Sequence, residues 1–376
     1  MNTQNITSPE DQSATFIELF FDLVFVFSVT QVVGLFHEGV TWGVVGQAVL
    51  VFWLVWWAWT QFTWALNAAD TTHPWVEMGT LIATAVAFFM AVALPDAFHG
   101  RGLWFAVPYV LGRIIGLTLY AWVASANPSQ RTAVRIFTLF SLGGLVAVLA
   151  GGFTGGTWQY WLWGLAIVLD VIAAAIGGQS EGWNLHPEHF GERHGLFVII
   201  ALGETLIVAA GGIIGVTWSG ELVAVALLSV AITCGLWWSY FTRAKPILDH
   251  ALESRHGSEQ SMLARDVYSL IHFPMLCGVI AYAVAIEEAI AHAQEPLLVG
   301  GRLALAIGLV LFIGGMAIGI WRATRRWLLP RLILAIGVAV VIVAVAEVTP
   351  LLTLAIAFIG ILVIVVWEQQ TINSHL

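Results

Sequence analysis

Two carboxylates four residues apart, Glu18 and Asp22, stand in an otherwise apolar run. That spacing puts both on one face of a helix. Farther along, Arg113, Asp170, Glu204 and His272 each interrupt another long apolar run. Side chains of these types can hold and release protons, coordinate a cation, or act as general acid and base. An ionisable group in hydrocarbon costs about 2.5–3.5 kcal/mol even on the lenient insertion scale, so each needs a partner, a water-filled cavity or a function. Counting from the Arg-rich ends of the runs at 1.5 Å per residue, Asp22, Asp170 and His272 lie roughly 9–12 Å deep, and Arg113 and Glu204 roughly 16–18 Å. Five groups from five spans in one slab predict a shared polar cluster. Arg113 is its only fixed cation, expected to pair with one or two of Asp22, Asp170 and Glu204. The surplus acids cannot all ionise side by side. Such a surplus suits proton or cation binding; a purely structural ion-pair network is the alternative.

A second constellation is His186-Pro-Glu-His189-Phe-Gly-Glu192-Arg193-His194-Gly195. Its histidines and carboxylates are of metal-ligand type, but no HExxH or paired CxxC spacing is present. The favoured expectation is a helix start held by hydrogen bonds, with Glu192 near the positive end of the dipole and no metal. Gly203 beside Glu204 suggests close backbone approach or local unwinding. Cys234 and Cys277 sit in apolar stretches and are expected to be small buried hydrophobes without a disulfide.

The elements that position these groups follow from composition. Of 376 residues, 59% are hydrophobic and 10% charged, and the mean hydropathy is +0.89. A soluble domain carries about 25% charged residues, so there is too little polar surface to cover a water-soluble fold. Disorder and a secreted disulfide scaffold are excluded by the same figures. A net charge of −9 leaves no basic footprint for nucleic acid. The expected fold class is all-α, a polytopic membrane protein whose partner is the lipid bilayer.

A crossing helix needs about 20 mostly apolar residues. Twelve such spans are read: 16–36, 45–66, 75–95, 102–124, 134–153, 158–178, 194–214, 221–241, 264–286, 298–320, 328–346 and 350–367, with ten as the fallback count. The substantial loops are 179–193 and 242–263, the second reading as a cytoplasmic loop or short surface helix. Much of the Trp content suits interfacial anchoring. Met1 to Gln12 is polar and lacks Lys and Arg, so the first span is expected to be retained rather than cleaved. Loops after even-numbered spans hold Arg131, Arg135, Arg193, Arg243, Lys245, Arg255, Arg265, Arg322, Arg325, Arg326 and Arg331; loops after odd-numbered spans hold Arg101 and Arg302. The positive-inside rule then places both termini in the cytoplasm, in a multi-pass protein of the cell membrane.

The two sets of six spans resemble each other. Glu18-Leu-Phe-Phe-Asp22-Leu-Val-Phe is like Glu192-Arg-His-Gly-Leu-Phe-Val-Ile, and Trp56-Trp57-Ala58-Trp59 is like Trp237-Trp238-Ser239-Tyr240, each before a Phe-Thr pair. The basic starts of spans five and eleven, Arg131/Arg135 and Arg326/Arg331, also correspond. A 6+6 parallel repeat is expected, residues 1–180 and 181–376, forming one integral membrane domain. Transporters built this way place the site between the halves.

Glu18-Leu-Phe-Phe-Asp22-Leu-Val-Phe-Val-Phe and Glu192-Arg193-His194-Gly195-Leu-Phe-Val-Ile-Ile-Ala-Leu-Gly203-Glu204 closely resemble, in order, the signatures of the bacterial low temperature requirement A (LtrA) family. The likeness extends over almost the whole chain. Thr205 stands where the family pattern often has Ser. The resemblance implies a bacterial inner-membrane protein and marks Glu18, Asp22, Glu192, Arg193, His194 and Glu204 as motif positions; it brings no substrate.

The leading functional expectation is a proton- or cation-coupled transporter-like protein. In it Asp22 and Glu204 are acceptors, Arg113 a counter-ion, Asp170 and His272 titratable helpers, and Glu18 part of the same site. The alternative is an intramembrane enzyme acting on a lipid or isoprenoid by carboxylate acid/base chemistry; a third is a sensor or scaffold. No cofactor is expected, and no P-loop offers a nucleotide site for ATP-driven pumping. The solute, ion or lipid handled and the oligomeric state are not legible.

Overall fold

The computed structural model describes residues 6–9, 12–125, 128–177, 183, 185–214 and 217–373. Part of the loop expected at 179–193 and most of the polar leader therefore lie outside the described residues. Within them the regular elements are helices, beside one isolated bridge between Thr7 and Ala69. They are α1 (Phe16–Gly34), α2 (Trp42–Ala68), α3 (Pro74–Ala93), α4 (Gly102–Ala124), α5 (Pro128–Thr154), α6 (Gly156–Gly177) and α7 (Pro187–Ile213). Then come α8 (Gly220–Ser239), α9 (Lys245–Glu253), α10 (Gly257–Leu263), α11 (His272–Ala291), α12 (Val299–Thr324), α13 (Leu329–Ala344) and α14 (Pro350–Asn373).

All twelve expected spans are helical. Among the described residues, eleven helical stretches are long and apolar enough to cross a membrane, and α13 is a shorter twelfth. Its 16 residues reach about 24 Å. The all-α polytopic fold is thus the observed one, and the protein is a multi-pass membrane protein. Trp42, Trp104, Trp158, Trp161 and Trp218 are exposed near the starts of α2, α4, α6 and α8, as interfacial anchors would be. Trp56, Trp59 and Trp163 are instead fully buried.

Of the two readings of 242–263, loop or short surface helix, the structure has helix in two stretches. α8 runs through a π-helical turn, Tyr240–Ala244, into α9, and α10 runs through another, Ala264–Ile271, into α11. Pro246 and Pro274 follow these turns closely. Proline lacks the N–H that a regular helix requires and crowds the carbonyl four residues back, and a widened turn just ahead eases that conflict.

The chain forms two compact units. The first holds 1–35, 43–197 and 252–269; the second holds 36–42, 198–251 and 270–376. In the first, α5 packs along α6, and α3 and α4 pack on each other and on α1 and α5 respectively. In the second, α11 packs on α12, α12 on α13, and α14 on α8 and α13. Gly278 and Gly308 bring α11 and α12 together: a Cβ on Gly278 would lie 2.6 Å from the carbonyl oxygen of Gly308. By contrast, α7 continues as helix past Gly203, with open space where a Cβ would go. The expected unwinding there does not occur. Cys234 is exposed on α8 rather than buried.

Candidate functional site

α1 begins with a capping box. Thr15 donates its backbone N–H (3.0 Å) and its hydroxyl (2.9 Å) to Glu18 Oε2, satisfying a donor at the helix start. One turn later Asp22 faces the same way. Both carboxylates are completely buried, so both must find partners inside the protein.

The partners come from α7. Sequence reading starts this helix at residue 194 and leaves Arg193 in a loop; the structure starts it at Pro187. Proline suits the first helical turn, and the earlier start places His189 and Arg193 four residues apart on one helix face. Arg193 Nη1 donates to Glu18 Oε1 at 2.7 Å, and Nη2 to Asp22 Oδ1 at 2.6 Å. The cation beside Asp22 is therefore Arg193, not Arg113. Loop-like polarity around 186–194 had disguised a fully buried residue.

α2 completes the network with two residues that sequence reading missed. Trp59 Nε1 donates to Asp22 Oδ1 at 2.6 Å, and its ring lies under the Arg193 guanidinium, 5.7 Å from the centroid. Asn67 fixes the protonation of His189. Asn67 Oδ1 accepts from the His186 backbone N–H (2.9 Å), so its Nδ2 faces the His186 carbonyl (2.9 Å) and His189 Nδ1 (3.0 Å). An amide nitrogen only donates, so Nδ1 accepts and the imidazole proton sits on Nε2. Nε2 then donates to Glu18 Oε2 at 3.1 Å. His189 is neutral in this arrangement. Two carboxylates against one guanidinium leave the buried network one negative charge in excess. Glu18 has donors on both oxygens, whereas Asp22 Oδ2 has no hydrogen-bond partner among the described residues.

Two further residues of the polar run, Glu192 and His194, have local roles. Glu192 accepts from the backbone N–H of Ala14 (3.0 Å), pinning the chain ahead of α1. His194 Nδ1 donates to the Phe190 carbonyl at 2.9 Å, and the ring packs edge-on against Trp56, Trp59 and Tyr268. Among the described residues no group of three or more His, Cys, Asp and Glu is placed to hold a metal.

Arg113 does pair with one expected acid, Asp170, through Nη2 at 3.0 Å and Nη1 at 3.4 Å. Its other bonds go to the Tyr109 hydroxyl (2.6 Å), the Ser141 hydroxyl (3.3 Å) and Gln61 Oε1. A guanidinium has five N–H groups, and here all have acceptors. This pair is electrically balanced, as a structural clasp between α4 and α6 should be. Both pairs lie in the first unit and share α2, with Trp59 on one and Gln61 on the other.

Of the five expected groups, Asp22, Arg113 and Asp170 lie in the first unit. Glu204 and His272 belong to the second unit. Glu204 is buried, and its neighbour Thr205 meets the Thr233 hydroxyl at 3.0 Å. His272 Nε2 meets the Tyr240 hydroxyl at 2.8 Å. A third buried ion pair, Arg331 with Glu368 at 3.3 Å, also escaped sequence reading. It had placed Arg331 in a loop and Glu368 beyond the last span.

The model of the bacterial low temperature requirement A protein (LtrA) family matches residues 13–367. An uncharacterised protein of Rhizobium meliloti (strain 1021) is 30% identical over 328 residues, covering 81% of this chain and 76% of that relative. No solved structure matches.

Proposed function

From a chain that belongs to the bacterial low temperature requirement A family, we propose a proton-coupled, transporter-like membrane protein in which Asp22 takes up and releases the proton. The observation that carries this reading is the unequal use of the two carboxylates in the α1–α7 network. Glu18 is saturated by Thr15, His189 and Arg193. Asp22 keeps one oxygen open while the network holds an excess negative charge. A buried uncompensated charge costs several kcal/mol. A proton on Asp22 Oδ2 removes that charge without disturbing the bonds to Oδ1. The two segments that resemble the family signatures supply three of its members, Glu18, Asp22 and Arg193.

The same reading puts the protein in the cell membrane with both termini cytoplasmic, on the segregation of Arg and Lys. The six-helix halves 1–180 and 181–376 rest on the motif likeness described above. Glu204 remains a proposed acceptor and His272 a proposed helper on residue type and depth alone.

Proteoliposomes enclosing a pH-sensitive dye test the function. Wild-type protein should move protons when a suitable solute gradient is imposed from a panel of small solutes, and Asp22→Asn should abolish that movement while remaining folded. Proton-linked flux that is the same in Asp22→Asn and wild type overturns the proposal.

A further inference from the structure

A cleft of about 450 Å³, open mouth included, lies in the first unit on the face of α2 that carries Trp57, Gln61 and Trp64. Binding clefts for small molecules are mostly apolar with a few placed polar groups. Five aromatic rings form the walls: Trp57, Trp64, Tyr120, Phe137 and Trp183. They are already arranged for ring contacts, with Trp183 5.4 Å from both Trp64 and Tyr120.

The polar groups at the cleft decide what it can take. Gln61 is used on both sides by Arg113, accepting from Nε and donating to the backbone carbonyl at 3.0 Å. The Ser269 hydroxyl accepts from Trp64 Nε1 at 3.0 Å. The charge of Arg265 is answered by Asp266, and its Nη1 also donates to the carbonyls of Ala174 and Ala175, both at 3.3 Å. Thr60 differs. It is 2% exposed, lines the cleft, and its hydroxyl has no hydrogen-bond partner among the described residues. A buried hydroxyl without a partner is costly and marks where a ligand's polar group would dock.

We propose that this cleft binds a small, uncharged, flat and mostly apolar molecule carrying one hydroxyl or carbonyl group, with the ring between the aromatic walls and the polar group on Thr60. Both Arg–Asp pairs bordering the cleft are neutral as pairs, so nothing in it compensates a charged ligand. Aromatic walls favour a ring through offset or edge-on contacts. The site does not depend on proton exchange at Asp22.

Equilibrium dialysis of the full chain in lipid nanodiscs, against empty nanodiscs of the same lipid, tests the proposal with naphthol, naphthalene and naphthoate as probes. Naphthol should bind saturably above the empty-disc background and more tightly than naphthoate. Thr60→Val should weaken naphthol by about fivefold, the scale of one hydrogen bond, and leave naphthalene unchanged, which also reports that the variant is folded. Ala174→Phe, which fills the cleft, should abolish saturable binding of both. The proposal is overturned by naphthol uptake no greater than in empty discs, by tighter binding of naphthoate, or by naphthol affinity that ignores both substitutions. A phospholipid chain that co-purifies in the cleft and excludes naphthol overturns it too.

Discussion

Replacing each carboxylate of the α1–α7 network by its amide should have sharply different consequences for stability. In Glu18→Gln, one end of the side chain becomes an NH2 group that must face donors. At Oε1 it would meet Arg193 Nη1, now at 2.7 Å; at Oε2 it would meet the Thr15 N–H and hydroxyl, now at 3.0 and 2.9 Å. Either orientation sets donor against donor, and Arg193 also loses one of its two anions. Arg193 keeps Asp22 as its anion, so the expected loss is that of the buried donors left without an acceptor, about 1–3 kcal/mol for each. In Asp22→Asn the amide oxygen can keep the bonds from Arg193 and Trp59 at Oδ1, both 2.6 Å, while the NH2 takes the place of Oδ2, where no described donor stands. The network also loses its excess negative charge. One charged bond weakened to a neutral one is worth about 1 kcal/mol. Reversible unfolding in mixed micelles, titrated with a denaturing detergent, reads both changes. An Asp22→Asn loss equal to or larger than that of Glu18→Gln refutes the assignment of Oδ2 as the open acceptor.

The same unfolding assay checks the Arg113–Asp170 clasp. Asp170→Ala should cost about 3–5 kcal/mol by stranding a buried guanidinium, and the double change Arg113→Met with Asp170→Leu should cost less than that single change. Gly278→Val should cost about 1–3 kcal/mol by forcing α11 away from α12, whereas Gly337→Ala, with nothing within 4 Å of a Cβ, should stay within about 0.5 kcal/mol. Nitrogen NMR of labelled histidine should find the His189 proton on Nε2 in wild type, and Asn67→Leu should abolish that preference.

The spans were legible because an unbroken apolar run long enough to cross a bilayer has few other readings. Which residues meet across helices was not. Polarity at 186–194 reads as a loop, and nothing local reveals that His189 and Arg193 are paid for by Glu18 and Asp22 some 170 positions away. Pro187 was the one readable sign of an earlier helix start. Asn67 and Trp59 sit among aromatic and apolar residues of α2, where a single amide or indole gives no periodic signal. Arg331 and Glu368 lie at span ends, where sequence reading assumes water. The likeness to the family pointed to Glu18, Asp22, Glu192, Arg193, His194 and Glu204; of these Glu18, Asp22 and Arg193 meet in one network, Glu192 and His194 bond to nearby backbone groups, and Glu204 belongs to the second unit.

The central claim is that Asp22 is the group in the network that exchanges a proton. Difference infrared spectroscopy of the full chain in lipid, recorded across a pH titration, measures this most directly. The account predicts a carboxylic acid C=O band that rises as pH falls, disappears in Asp22→Asn, and persists when Asp170 is replaced by Asn. A band that survives Asp22→Asn unchanged, or a titration in which no carboxyl band belongs to Asp22, would contradict it.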